Sequence, residues 1–479
     1  MALTATTTAG KVRGAERDGT VRFLGVPYAA PPFGEHWLLA PAPPEPWDGV
    51  RDALAYGPTS QQPADEIVGG IPEPSIPGED ILTVNVFTPD LGAAGLPVLV
   101  WIHGGGFFAG SPASPWYDGG RFARDGVVVV TVGYRLGAEG FLAFEGAPAN
   151  RAVLDWLAAL RWVQDNIAAF GGDPGQVTIA GQSAGGLAIT ALLGLPQAQG
   201  LFRRAISMSG VAVSIPLDDA RTIAADLAGR MGVAPTRSAV AAAPFASLHA
   251  AQLDLRRDAE QEGRGGLGGR MLFAPIVDGE LFTDKPLKAI ASGVGGDLDL
   301  LVGATHEETN FGVRTRTGRI DEAALLQSLA LLGLPAEAYR ALHSDLTPGA
   351  VMGQAVTDRM FRSRVQSLAE ARAATPGAGR TFAYEFQWRS PLGGSRLGAA
   401  HCLDIPFVFD NLDADDVRGL AGDKPPQPLA DLMHAAWVSF IRDGTPGWPA
   451  HDLVERQTML FDVESGPRPD PFAPERALW

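Results

Sequence analysis

Short, mainly apolar runs alternate through the first half of this chain with stretches in which apolar residues recur every three or four positions. Leu96 to His103 carries Val98, Leu99, Val100, Trp101 and Ile102 in succession, and Val127 to Gly133 and Val177 to Ala180 are similarly continuous. Runs of this length without alternation predict strands buried on both faces. Between them, Val153, Leu157, Leu160, Val163 and Ile167 mark one face of a helix, which Gly171-Gly172-Asp173-Pro174 stops. Strand, helix, strand, sharp turn and helix then follow in the order of a right-handed crossover. The expected fold is α/β, with a mostly parallel sheet covered by helices on both faces.

Beyond Val211 the pattern becomes alanine-rich and helical as far as Asp297, interrupted by the glycine run Gly263 to Gly269. No strand precedes that run and no Lys-Ser or Lys-Thr follows it, so it reads as a mobile surface loop rather than a phosphate loop. A strand is expected at Leu298 to Val302, helices over about Asp321 to Ala374, and further strands at Thr381 to Trp388 and Thr458 to Val463. There are no internal repeats and no linker. The expectation is one domain over residues 1–479 with helical insertions around 211–297 and 321–374.

Two glycine-rich segments lie at strand ends, where chemistry is expected in such a sheet. Gly181-Gln182-Ser183-Ala184-Gly185-Gly186 follows Val177-Thr178-Ile179-Ala180 directly. A strand that turns into a helix at a serine between glycines exposes the hydroxyl and aims a helix N-terminus at it. Such a pentapeptide alone is weak in a chain with 59 glycines. The second segment, His103-Gly104-Gly105-Gly106-Phe107, strengthens it by supplying bare backbone N–H groups that can face an oxyanion. A serine hydroxyl also needs a base, and the base an acid. Of the eight histidines, His36 and His103 precede the serine and His249 lies in the helical insertion. His343, His434 and His451 lie in helical or surface contexts, and His306 adjoins the acidic pair Glu307-Glu308. His401, in the loop before Cys402-Leu403-Asp404-Ile405-Pro406-Phe407, is the candidate base.

Composition narrows the partners. The formal net charge is −16, and no block of basic residues could follow a phosphate backbone, so nucleic acid is not expected. No stretch approaches the roughly 20 apolar residues of a membrane span, and Met1-Ala2-Leu3-Thr4 lacks the basic and apolar regions of a signal peptide. A single cysteine, Cys402, excludes an intramolecular disulfide and reads as a small buried filler. Together these point to a cytoplasmic location. His306-Glu307-Glu308-Thr309-Asn310 is not H-E-x-x-H, and His401 with Asp404 lacks a third ligand nearby, so no metal is expected.

Across nearly its whole length the sequence resembles the type-B carboxylesterase/lipase family, which includes the cholinesterases. The resemblance is carried by Phe23-Leu24-Gly25-Val26-Pro27-Tyr28-Ala29 with Pro31-Pro32 and Gly34, by Glu79-Asp80-Ile81-Leu82-Thr83-Val84-Asn85-Val86, and by Ala159 to Ile167 with the Phe-Gly-Gly-Asp-Pro that follows. It implies an α/β-hydrolase fold and hydrolysis of small, mostly uncharged carboxylic esters through an acyl-enzyme, with no cofactor. A carbamate or amide hydrolase of the same family remains an alternative. Some members are binding or adhesion proteins without the nucleophile, whereas serine, histidine, acid and glycine loop are all present here.

Residue by residue, the resemblance places the nucleophile at Ser183, the base at His401 and the acid at Glu308, with Glu307 as competitor for the acid. It implies oxyanion donors at the N–H groups of Gly105, Gly106 and Ala184, and a serine at Ser209 that supports the acid–histidine pair. Phe107, Phe108, Phe273, Phe311, Met360, Phe361 and Phe407 are candidate pocket residues, each equally readable as plain core. The chain departs from the family's pattern in four places. Gln182 replaces the glutamate before the nucleophile, Thr309 the glycine after the acid, Ile81 a disulfide cysteine, and Trp37 an arginine that pairs with the acid at Glu79. Oligomeric state is not legible.

Overall fold

The computed structural model describes residues 3–62, 70–211, 213–261, 271–309, 320–392, 397–414 and 416–479. Its centre is an 11-stranded sheet. Thr458–Phe461, Thr381–Phe386, Asp299–Thr305, Arg204–Met208, Gly172–Gln182, Leu96–Ile102 and Val128–Val132 lie side by side in that order, all paired in parallel. Thr83–Thr88, Thr20–Pro27 and Ala15–Arg17 extend one edge in antiparallel register, and Gly466–Arg468 closes the other. The apolar runs of the sequence are thus the inner strands. Leu96–Ile102 and Val128–Val132 are buried on both faces because helices cover each side.

Two large clusters fill those two faces. One gathers Trp156, Leu157, Leu160 and Val163 of helix Arg151–Asn166 beneath Val100, Val130 and Ile179. The other packs Trp437, Phe440 and Ile441 of helix Gln427–Asp443 against Trp101, Ala180, Ile206 and Tyr384. The expected helix ends at Asn166, with Ile167 opening a tighter turn that Gly171 terminates in the left-handed region, φ 88°.

The antiparallel edge was not anticipated. Thr4–Thr6, Lys11–Arg13 and Val50–Asp52 form a further small sheet, and these three-residue strands are too short to show a period. The stretch 211–297 is mainly helical, with helices Leu217–Arg230, Arg237–Ala242, Phe245–Gln261 and Pro286–Ala291. It also holds a two-residue parallel pairing of Ile215–Pro216 with Ile276–Val277. The glycine run 263–269 lies outside the described residues. Over 321–374 the chain forms Glu322–Leu331, Ala336–Leu342 and one long helical segment from Pro348 to Ala373, interrupted by a π-helical turn at Asp358–Arg362.

A buried ion pair ties the sheet to helix Arg151–Asn166. Arg135, just beyond strand Val128–Val132, donates from Nε to Asp155 Oδ2 at 2.8 Å and from Nη2 to Oδ1 at 2.6 Å, and both side chains are wholly buried. Arg135→Met alone should cost about 3–5 kcal/mol, since it strands the Asp155 carboxylate. Adding Asp155→Leu should recover most of that loss, as read from urea midpoints of the three proteins.

Candidate active site

Every candidate catalytic group lies at the same end of the parallel strands. Strand Gly172–Gln182 ends in Ser183, whose backbone sits at φ 58°, ψ −124°, and helix Ala184–Leu193 starts at the next residue. That conformation costs a non-glycine residue about 1–3 kcal/mol and persists only where the surroundings enforce it. Here they do. A Cβ on Gly185 would stand 2.1 Å from the carbonyl oxygen of Ile102, so the turn can lie this close to the neighbouring strand only without a side chain. The Ser183 N–H is fixed by the Met208 carbonyl at 2.9 Å.

The loop after Ile102 lies directly against this turn. A Cβ on Gly104 would approach Ser183 Cβ to 3.2 Å, and Gly105 and Gly106 adopt φ of 106° and 62°. The Gly105 carbonyl accepts from the N–H groups of Phe108 and Ala109 at 3.1 and 2.9 Å. Among the described residues no backbone carbonyl takes the N–H of Gly105 or Gly106. His103 is not a base here. It is buried, stacked on Tyr134 with ring centroids 4.4 Å apart, and burial lowers its pKa to about 4.

His401 Nε2 lies 2.8 Å from Ser183 Oγ, and Nδ1 hydrogen-bonds Glu308 Oε2. The other Glu308 oxygen accepts from the Thr305 N–H at 2.8 Å. Serine, histidine and this carboxylate are all nearly buried, at 9%, 8% and 3% exposure, so their mutual bonds are little diluted by water. Burial opposes the His401 cation, but the facing sulfur of Cys402 and the Glu308 carboxylate outweigh it and raise the imidazole well above its usual range. Burial also raises the Cys402 thiol.

Glu307 points the other way, as consecutive residues of a tight turn do. Arg389 holds it in a two-pronged ion pair, Nε to Oε2 at 2.9 Å and Nη2 to Oε1 at 2.6 Å. The Ala399 N–H also donates to it at 2.9 Å. Glu307 thus anchors the backbone two residues before His401. Sequence reasoning weighed it only as a competitor for the acid, and Arg389, its partner from strand Thr381–Phe386's far end, carried no signal at all.

The supporting residues differ from the family-derived expectation. The Ser209 N–H donates to the Gly303 carbonyl at 2.8 Å, but its buried hydroxyl has no hydrogen-bond partner among the described residues. The direct bond to Glu308 comes instead from Thr305. Gln182 places its amide nitrogen 3.5 Å from both ring nitrogens of His401, while its Oε1 accepts from the Cys402 thiol at 3.3 Å. Trp37, where the family has arginine, donates its indole N–H to buried Glu139 at 3.1 Å. Glu79 is exposed and solvated.

The candidate pocket residues divide. Phe107 is a correction: it is fully buried against Phe141 and Trp156, because its own φ of 64° turns the ring into the core. Phe407 packs against Phe386 and Trp388 in the opposite cluster, and Phe273 is 1% exposed in the first, so both are core. Phe311 lies outside the described residues. Phe108 is half-buried over Gly106, with the Arg256 guanidinium 3.5 Å from its ring centre. Phe361 lies 5.4 Å from the His401 ring, and Met360 is partly buried beside it.

Among the described residues no group of three or more His, Cys, Asp or Glu is placed to hold a metal ion, and no helix is long and apolar enough to cross a membrane. The Carboxylesterase family model matches residues 2–459. The chain is 36% identical to the para-nitrobenzyl esterase of Bacillus subtilis, over 98% of this chain and 97% of that protein. It is 37% identical to the phenmedipham hydrolase of Pseudarthrobacter oxydans, over 94% and 91%. A solved carboxylesterase of Geobacillus stearothermophilus superposes with a TM-score of 0.87 at 35% identity, covering 100% of both chains. With the fold, the turn at Ser183 and the glycine loop in place, the chain belongs to the carboxylesterase family and is an ester hydrolase of the α/β-hydrolase fold.

Proposed function

We propose that this carboxylesterase works through an acyl-enzyme on Ser183 and takes small, mostly uncharged esters. The observation that carries the proposal is the unbroken relay from the Thr305 N–H through Glu308 and His401 to Ser183 Oγ, set against the glycine loop. Ser183 Oγ attacks the ester carbonyl while His401 Nε2 takes its proton. The carbonyl oxygen becomes an oxyanion, received by the N–H groups of Gly105, Gly106 and Ala184. His401 then returns the proton to the departing alkoxide, and water repeats the sequence on the acyl-enzyme. Glu308 fixes the imidazole tautomer, with Nδ1–H toward the carboxylate, and stabilises the imidazolium.

Phe108 above Gly106 gives the reacting carbonyl an apolar wall, which favours an uncharged acyl or aryl group. The same relay would cleave a carbamate, and one relative is named for phenmedipham hydrolysis. Nitrophenyl esters of graded chain length, assayed beside an aryl carbamate and an aryl amide, decide between the readings. The proposal expects the short neutral esters to lead in kcat/KM, and a carbamate turned over faster than every ester would replace it.

Ser183→Ala and His401→Ala are each expected to lower kcat by roughly five to six orders of magnitude, because the members of such a relay act as a unit. Glu308→Gln should cost about four orders and leave the fold intact. Glu307→Gln should instead lower the thermal midpoint, since the amide keeps only one of the two acceptor oxygens that Arg389 and the Ala399 N–H share and carries no charge, with kcat within about tenfold of the parent. The reverse ranking of the two glutamine variants would reassign the acid.

The pH dependence follows from charge. His401 must be neutral to accept the Ser183 proton, so activity falls as pH drops through its pKa. The neutral Gln182 amide touches the ring, and Gln182→Glu puts a carboxylate there, favours the imidazolium and moves the acid limb of kcat/KM to higher pH. A neutral ester assayed across pH with both proteins checks this. An acid limb that stays in place or moves down contradicts it.

A further inference from the structure

The π-helical turn Asp358–Arg362 is the least regular part of an otherwise continuous helical segment, and it faces the catalytic relay. Such a turn accommodates an extra residue by widening the ladder, a feature frequent at functional sites and retained only when its surroundings hold it. Four contacts link the segment to the relay. The Gln354 amide donates to the His306 carbonyl at 3.3 Å, two residues before Glu308. Thr309, directly after Glu308, donates its N–H to Thr357 Oγ1 at 3.2 Å and its hydroxyl to the Gly353 carbonyl at 3.0 Å. Within the π turn, the Phe361 ring lies against the His401 imidazole, centroids 5.4 Å apart and planes at 52°. The acid loop and the histidine are thus held by one helical segment.

The widened turn is in turn gripped from behind. Arg362 is 2% exposed and bonds Asp358 within the turn and Glu385 Oε2 of strand Thr381–Phe386 at 2.8 Å. Asp358 also accepts from Tyr339 Oη at 2.7 Å and from the Trp479 indole at 3.3 Å. The segment 472–479 closes over this cluster. Phe472 and Trp479 present their faces to the Arg362 guanidinium at 4.4 and 5.6 Å, and Glu475 stands 4.0 Å from it. None of these groups carries a role in the relay chemistry derived above.

We infer that the π turn, clasped by Phe472 and Trp479, is a brace in which Phe361 acts as a positioning residue that holds the His401 ring between Ser183 and Glu308. The brace rests on the triad reading above. It explains why a fully buried arginine and its carboxylates are spent on one irregular turn. It also gives Thr309 a purpose: glycine at that position would lack the hydroxyl that binds Gly353. Because Nδ1 and Nε2 must both keep their partners, a small rotation of the unsupported ring lengthens both bonds. Misplacements of this size cost about ten- to hundredfold in rate.

The test uses two sites far apart on the brace, Phe361→Leu and Trp479→Ala, assayed with short and long nitrophenyl esters beside Glu308→Gln. Both variants should lose about ten- to hundredfold in kcat, equally for every chain length, with KM within about twofold. Trp479→Phe, which keeps a ring over Arg362, should regain most of the rate. If Phe361→Leu changes KM in a chain-length-dependent way with kcat intact, Phe361 is a substrate wall and the brace is wrong. If Trp479→Ala lowers only the thermal midpoint, with kcat at 25 °C unchanged, residues 472–479 merely stabilise. A Glu308→Gln variant with wild-type rate overturns the triad itself, and with it the brace. A crippled Glu308→Gln beside unaffected brace variants overturns the brace alone.

Discussion

The site is built around one steric constraint, the closeness of the turn at Ser183 to the end of strand Leu96–Ile102. Neither Gly181 nor Gly185 has room for a Cβ, each meeting the Ile102 carbonyl within 2.6 Å. Strand pairing between Leu96–Ile102 and Gly172–Gln182 brings the two chains together, and the missing side chains let them stay together. Ser183 then has nowhere to go but the strained region, its hydroxyl raised out of the sheet. The same approach puts Gly104 against Ser183, and so fixes the glycine loop relative to the attacking oxygen. Ser183 and the proposed oxyanion donors are thereby registered by backbone alone, before the other side chains of the proposed relay are considered.

His401 and Glu308 reach that point from a different part of the chain, and their placement depends on polar contacts rather than on sheet geometry. Glu308 and Glu307 leave the end of strand Asp299–Thr305 in opposite directions. One faces His401, and the other fixes the backbone of Ala399 and the Arg389 side chain. Two adjacent carboxylates thus divide the tasks of holding the imidazole and holding its loop. With Gln182 uncharged, the field that favours the His401 cation comes from the Cys402 sulfur and the Glu308 carboxylate.

Much of this was legible in the sequence, for reasons that differ by element. Val98–Ile102 and Val177–Ala180 announce themselves because strands buried on both faces are near-continuously apolar, Thr178 being the one polar side chain in the two runs. Helix Arg151–Asn166 shows its period because one face meets the sheet and the other water. Ser183 and the glycine loop were readable because their geometry tolerates few residue types. The short antiparallel strands Thr4–Thr6 and Lys11–Arg13 were not, having no room for a pattern. Phe107 and Phe407 were misjudged as pocket candidates because composition does not tell which way a ring turns. The Phe107 ring turns inward only because of a positive φ that nothing in its identity requires. The roles of Glu307, Arg389 and Thr305 arise from contacts between residues distant in sequence or from backbone N–H groups, neither of which leaves a local signature.

The proposed mechanism stands or falls on Ser183 Oγ as the acceptor of the acyl group. Treating the enzyme with an aryl sulfonyl fluoride and mapping the adduct by peptide mass spectrometry tests it most directly. One adduct per chain is expected, on the peptide containing Ser183. It should form in step with loss of ester turnover, be slowed by a competing ester, form slowly in His401→Ala and be absent from Ser183→Ala. An adduct at any other residue that tracks the loss of activity, or full inactivation with Ser183 unmodified, would contradict it.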